Sequence, residues 1–264
     1  MTLQRLPRAN SRGVLAGQAA LLLPTFASPQ IRQPCVADSS GIGAKPVRLI
    51  LPPGWKSSAV NDVDAVFAID DTGSMYGRCG DPCGVRRAAA LSVVDLMARA
   101  RGARAGVVHW GSIAPEELTL PLTNVRHRRR IESALSIPPS LGANNFPAAL
   151  ARSRQVLESS DPSRIQLVVC ITDGIETLGP DATAQLKRLE PESVHVLLVD
   201  HSHGCTPALE AGWASLPFGS FTRLELLDTT QMAWQAADIV ARAAGIEMSP
   251  APTTTPSYSR RRTP

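Results

Sequence analysis

Lysine occurs only at positions 45, 56 and 187 of the 264 residues, and none of the three follows a glycine. A phosphate-binding loop of the Gly-x-x-x-x-Gly-Lys-Ser/Thr type is therefore excluded, and neither a Gly-x-Ser-x-Gly nucleophile elbow nor a His-Glu-x-x-His metalloprotease helix occurs. Aromatic residues make up 4% of the chain. None is interleaved with its one dense basic run, Arg126-His127-Arg128-Arg129-Arg130, so the stacking used on single-stranded nucleic acid finds no support and the run reads as a solvated helix face. No apolar stretch suits an ordinary membrane-spanning helix: the best, Val14 to Leu23, is short and interrupted by Gln18. Five cysteines, an odd number, argue against a complete disulfide framework.

What the chain does contain is a set of oxygen donors where apolar runs end. Asp70-Asp71-Thr72-Gly73-Ser74 follows Val63-Asp64-Ala65-Val66-Phe67-Ala68-Ile69. In Asp-x-Thr-x-Ser, side chains at alternate positions of an extended-to-turn segment can converge on one point, which makes Asp70, Thr72 and Ser74 candidate ligands. A small dication such as Mg²⁺ takes near-octahedral oxygen ligation at about 2.0–2.1 Å and keeps several waters, which suits two neutral hydroxyls with few carboxylates. An ion so lightly compensated still favours an outside carboxylate, the basis of a recognition device. A second carboxylate, Asp173, follows the run Ile165 to Ile171 within Thr172-Asp173-Gly174. Between the two, Gly142-Ala143-Asn144-Asn145-Phe146-Pro147 is a turn-rich stretch leading into a helical pattern from Ala148 to Leu157, and Asn144 can offer an amide oxygen.

With these residues, in this order, the chain resembles a von Willebrand factor type A (vWA) domain, whose metal-ion-dependent adhesion site is written Asp-x-Ser/Thr-x-Ser, then Thr, then Asp. The segments FAIDDTGSM, LGANNFPAAL and VVCITDGIET carry the resemblance, which extends over roughly residues 61 to 246. The family pattern falls directly on Asp70, Thr72, Ser74 and Asp173, while the position usually held by Thr falls on Asn144. The resemblance implies a bound Mg²⁺, with Mn²⁺ or Ca²⁺ as alternatives, and a partner protein that supplies an Asp or Glu to the ion. Asp71, Met75 and Gly142 are expected to shape the rim.

Periodicity leads independently to the same architecture. Strand-like and helical runs alternate, which predicts an α/β fold with an open, doubly wound, mostly parallel sheet covered by helices on both faces. Ala90, Val93, Val94 and Met97 repeat at helical spacing, so residues 84–101 read as a helix whose arginines lie mostly outside the apolar stripe. Strands are expected over 105–110, 118–122, 194–199 and 221–227, with a polar helix near 125–136. The last helix places Met232, Ala236, Ile239, Val240 and Ala243 on one face. In such a sheet ligands bind at the carboxyl ends of strands, where Asp70 and Asp173 both fall.

Net charge divides unevenly along the chain. Residues 1–60 hold seven Lys or Arg against one acid and residues 248–264 hold three Arg and no acid, so a total of +4 leaves −5 for the region between. The domain organisation expected is a basic amino-terminal extension over 1–45, an extended lead-in over 46–60, the vWA domain over 61–246, and a basic Pro/Ser/Thr tail over 247–264 without fixed structure. Arg5, Arg8 and Arg12 ahead of the apolar Val14 to Leu23 loosely match a secretory signal; the extension of a cytoplasmic protein is the reading preferred, and export the alternative. Cys79 and Cys83 could close a small loop, or one of them could join His201, His203 and Cys205 in a zinc site. Cys170 reads as core.

The expectation drawn is a non-enzymatic, cation-dependent protein-binding module. Resemblance to bacterial members suggests an adaptor working with an AAA+ ATPase or an exported adhesion-like protein, with no specific nucleic acid as partner. Two other classes stand beside it: an inert scaffold with a degenerate metal site that binds through its basic flanks, and a metal-dependent hydrolase using Ser74.

Overall fold

The computed structural model describes residues 44–49, 56–76, 81, 83–136, 140–174, 181–199, 207–224 and 228–248, all within the unit Cys35–Pro264. Six strands form one sheet: β1 (Val63–Asp70), β2 (Arg104–Trp110), β3 (Leu120–Asn124), β4 (Ile165–Thr172), β5 (Val194–Val199) and β6 (Ser220–Leu224). Their spatial order is β3-β2-β1-β4-β5-β6. All neighbours are parallel except β2 and β3. The helices are α1 (Gly73–Tyr76), α2 (Val85–Met97), α3 (Arg128–Ala134), α4 (Phe146–Leu157), α5 (Asp181–Arg188), α6 (Pro207–Ala214) and α7 (Thr229–Ala243). This is the doubly wound α/β architecture the alternation of periods predicts.

Alternation along the central strands feeds two separate cores. Val63, Ala65, Phe67 and Ile69 of β1 pack with α2 and α7. Val66 and Ala68 face the other way, toward α4, α5 and α6. The same division holds in β4, where Leu167, Val169 and Ile171 enter the first core and Val168 and Cys170 the second. A strand buried on both faces needs apolar residues at every position, which explains the near-continuous runs in the sequence. Cys170 is fully buried, as expected, and burial holds its thiol well above the ordinary range.

Element limits move where local hydrogen bonds intervene. The helix expected over 84–101 ends at Met97, and the Asn61 amide oxygen captures the N–H groups of Arg101 at 2.9 Å and Gly102 at 3.3 Å. The strand expected over 118–122 runs two residues later and lies antiparallel at the sheet edge, which is where Pro121 is tolerated. The segment expected at 221–227 begins at Ser220, and residues 225–227 are outside the described set. Helices α5 and α6 were not expected from the sequence. The lead-in forms no strand at 45–49; it lies along α2, with Val47 donating to Ser92 Oγ at 2.9 Å and Leu49 buried. Residues 1–43 of the amino-terminal extension and 249–264 of the tail lie outside the described residues, while Met248, expected in the tail, is buried against the first core; no described helix is long and apolar enough to cross a membrane.

The amino end of the sheet is closed by a buried carboxylate. Asp64, in β1, accepts from Arg104 Nε at 2.9 Å, from Arg164 Nε and Nη2 at 2.9 and 2.8 Å, and from Ser160 Oγ at 2.5 Å. Burial would raise its pKa, but these partners outweigh burial and lower it. Arg164 also reaches the carbonyls of Asn61 and Gly102, so one side chain ties three segments. Arg164→Ala is expected to cost about 3 kcal/mol at pH 7 by urea unfolding. A depressed carboxylate contributes stability above its unfolded pKa, so the deficit should shrink as pH falls through the folded value and Asp64 is protonated. A pH-independent deficit, or one below about 0.5 kcal/mol, would remove this charge cluster from the account.

Candidate functional site

The strand order reverses between β1 and β4, so the crevice outside their carboxyl ends is the topological switch point of the sheet. Three segments meet there. The first is the loop leaving β1, which carries Asp70, Thr72 and Ser74. The second, residues 141–145, is stitched to it by Leu141 N–H to the Asp71 carbonyl and Gly73 N–H to the Gly142 carbonyl, both at 2.8 Å. The third leaves β4, where Thr172 donates to Asp70 Oδ2 at 2.5 Å.

Asp70 is fully buried. Its Oδ1 accepts the Thr72 N–H at 2.8 Å, and two residues on the Thr72 and Ser74 hydroxyls are 2.9 Å apart. Alternate side chains of this loop do converge. Burial first, and the Asp173 carboxylate second, push the Asp70 pKa up to about 7 against the hydrogen bonds from Thr172 and Thr72. Asp173 is itself 2% exposed. The turn after it is held from both sides: Gly174 N–H donates to Thr172 Oγ1 at 2.9 Å, and Trp213 of α6 donates to the Gly174 carbonyl at 3.2 Å. Gly174 has φ +65°, and a Cβ there would stand 2.4 Å from Leu198 Cδ1. Only glycine fits this turn.

Asn145 caps α4, accepting from the Ala148 N–H and donating to the Ser112 carbonyl. Phe146 anchors the same turn against Trp110 and Trp213, with ring centroids 5.8 and 4.8 Å away. Asn144 behaves differently: both atoms of its amide are buried and neither has a hydrogen-bond partner. A buried amide left unsatisfied carries a penalty that a ligand can relieve. Two crowded carboxylates and a hydroxyl pair form a hard-oxygen donor set that fits a small dication, and the orphaned amide belongs to the segment stitched to the same loop. Among the described residues no group of three or more His, Cys, Asp and Glu side chains could hold a metal ion, so a cation here would depend on the neutral donors. Cys83 is disulfide-bonded, which withdraws it from the zinc alternative. Cys79, His201, His203 and Cys205 also lie outside the described set.

Asp71 and Met75 do not shape a rim. Both are 0% exposed. Asp71 points inward and accepts from Arg86 Nη2 at 2.8 Å, from Arg87 Nη2, and from the Tyr76 hydroxyl at 2.9 Å, with His109 Nδ1 2.5 Å from its other oxygen. Burial alone would raise this carboxyl; the His109 hydrogen bond and the Arg87, His109 and Arg86 charges override it and hold it at about 2. His109 Nε2 lies 2.5 Å from the Ala134 carbonyl. Arg86 also bonds Asp81, whose carboxylate accepts the first N–H groups of α2. The sequence reading missed this network by placing the arginines outside the apolar stripe. The signal was there: two cations in the first turn of a helix oppose its dipole unless carboxylates offset them.

Residues 65–176 match the von Willebrand factor type A domain family, a span that contains every candidate ligand. No curated protein matches the chain in sequence. Among solved structures, the pilus adhesin SpaC from Lactobacillus rhamnosus GG superposes with a TM-score of 0.53 at 16% identity, over 68% of this chain and 30% of its own. A von Willebrand factor type A protein from Catenulispora acidiphila gives 0.53 at 19% identity, over 70% of this chain and 43% of its own. BatB from Bacteroides thetaiotaomicron gives 0.52 at 17% identity, over 69% of this chain and 99% of its own. The chain thus spans under a third of the adhesin's length. At these identities the likeness establishes the fold, which is the Rossmann-like vWA fold.

The two adjacent aspartates are expected to respond oppositely to the same change. In metal-free protein the stability lent by protonated Asp70 is complete below its unfolded pKa and is lost as pH rises through about 7. Asp70→Asn should therefore stabilise the metal-free protein at pH 8 by on the order of 3 kcal/mol and change little at pH 4. Asp71→Asn leaves Arg86 and Arg87 buried without their shared carboxylate and should cost about 3 kcal/mol at pH 7. Thermal melts in EDTA decide the matter, and destabilisation by both variants at pH 8 would contradict the assignment.

Proposed function

We propose that this chain is a divalent-cation-dependent protein-binding module that takes an Asp or Glu side chain of its partner at the β1/β4 crevice. The observation that carries the reading is the mutual repulsion of Asp70 and Asp173 in a buried edge that offers neutral oxygen donors. Asp70, Asp173, Thr72, Ser74 and Asn144 would hold the ion, Mg²⁺ or alternatively Mn²⁺ or Ca²⁺. When bound, it supplies neutralising charge and an electrophilic position open to an outside carboxylate. The likeness in fold to a pilus adhesin, and to the PilB minor pilin of Streptococcus sanguinis, supports an adhesive or protein-interaction role.

Binding without turnover is the reading favoured for Ser74. Its hydroxyl pairs with Thr72, while His109 is turned to Asp71 and Ala134 and His195 to Ser220. No described histidine is bonded to it as a general base. The disulfide at Cys83 favours an oxidising compartment, and with it the exported, adhesion-like context over a cytoplasmic adaptor of an AAA+ ATPase. Intact-mass analysis of protein recovered from its native cells should show the disulfide oxidised. Fully reduced thiols would return the cytoplasmic reading.

Titrating Mg²⁺, Mn²⁺ and Ca²⁺ into the metal-stripped full chain by calorimetry tests the site. Saturable binding is expected that disappears in Asp70→Ala/Asp173→Ala and weakens about tenfold in Asn144→Ala. Wild-type heat that survives in the folded double variant, or no heat with any of the three ions at millimolar concentration, would overturn the proposal.

A further inference from the structure

The arginines of the described domain divide into two populations. Eight are neutralised: Arg86 and Arg87 by Asp71, Arg104 and Arg164 by Asp64, Arg128 by Asp95 and Glu132, Arg152 by Glu116, Arg154 by Glu158 and Arg242 by Asp238. Arg48, Arg99, Arg101, Arg126, Arg129, Arg130 and Arg188 differ, being exposed and in no ion pair among the described residues.

Of these, Arg99, Arg101, Arg126, Arg129 and Arg130 cluster in space. The Asn124 side chain donates to the Arg101 carbonyl at 2.8 Å, joining the turn after α2 to the end of β3, from which Arg126 follows directly. Arg128 then ties α3 back to α2 through Asp95, with Nε–Oδ1 2.6 Å, and also bonds Glu132 at 2.6 Å. Arg128 lines two clefts: one of about 420 Å³ that also takes in Arg48 and Arg99, and one of about 610 Å³ bordered by Arg126, Arg129 and Arg130. The two carboxylates on this surface, Asp95 and Glu132, are both engaged by Arg128, which leaves the rest of the face cationic. The turn after α2 leads into the start of β2, so the face lies toward the opposite end of the sheet from Asp70 and Asp173.

We infer that this α2/α3 face is a second, cation-independent docking surface that takes a short acidic segment, rich in Asp and Glu, of a partner protein. Guanidinium forks match carboxylates in paired hydrogen bonds, and unpaired arginines have no intramolecular partner to give up. A nucleic acid fits less well. Neither cleft is lined by Phe, Tyr or Trp, the large rings on which bases stack. The −5 charge between the basic flanks also repels a long polyanion, whereas a short segment senses little beyond a Debye length of about 8 Å. A lipid surface fits less well too, since the described exposed large hydrophobic is Ile113, outside both clefts.

The test uses the full chain in EDTA, which silences the cation site, and follows the fluorescence anisotropy of a short labelled peptide of Asp and Glu separated by Ser. Arg126→Glu/Arg129→Glu/Arg130→Glu should weaken binding tenfold or more, as should Arg99→Gln/Arg101→Gln on the neighbouring turn. Asp70→Ala should bind like the wild type, and so should the tail variant Arg260→Glu/Arg261→Glu/Arg262→Glu. Affinity should fall as salt rises. Equal affinity for wild type and both patch variants, with circular dichroism melts showing all three folded, would overturn the inference. So would loss of binding in the tail variant, tighter binding of a DNA duplex than of the peptide, or equal binding of a peptide with Gln and Asn in place of Glu and Asp.

Discussion

One buried carboxylate, that of Asp71, fixes the geometry on which the carboxyl end of the sheet depends. It gathers two arginines from α2, a histidine from β2 and a tyrosine from α1, and through His109 it reaches the last turn of α3. Because Asp71 is turned inward, its neighbours Asp70 and Thr72 are held in the register that brings Thr72 and Ser74 together. An ion cluster this buried adds little net stability over an apolar replacement, since desolvation consumes most of the attraction. Its contribution is uniqueness: the loop has one arrangement in which two arginines and a histidine are all satisfied.

The same residue type does opposite things in three places along β1 and its exit. Asp64 and Asp71 are buried against arginine and held ionised, whereas Asp70 is buried beside another carboxylate with hydroxyl and amide donors for company. Stability is thus gathered at the amino end of the sheet and beneath the loop, and given up at the crevice. Such electrostatic tension concentrates where function lies, and under the proposed function a cation would relieve it.

Charge is partitioned on the surface as well. Eight of the described arginines are consumed by the domain's own acids, which lets the unpaired set on the turn after α2, ahead of α3 and on α3 itself stand out against a body of net negative charge. One acidic and one basic region at opposite ends of the sheet give the two ends different chemistry without any change to the core.

The sequence by itself determined what depends on local periodicity and spacing. Continuous apolar runs in β1, β4 and β5 announced strands buried on both faces, and Asp-x-Thr-x-Ser with Asp173 marked the strand ends that form the crevice. Short-range rules suffice there, because side-chain direction follows from position along a strand. Tertiary structure alone decided which aspartate faces the crevice and which the interior, since Asp70 and Asp71 are adjacent and chemically identical until Arg86, Arg87 and His109 arrive from other elements. It alone left the Asn144 amide without a partner and decided which arginines are paired. Those outcomes rest on contacts between residues far apart in the chain, and long-range electrostatic complementarity leaves no periodic signature in a sequence.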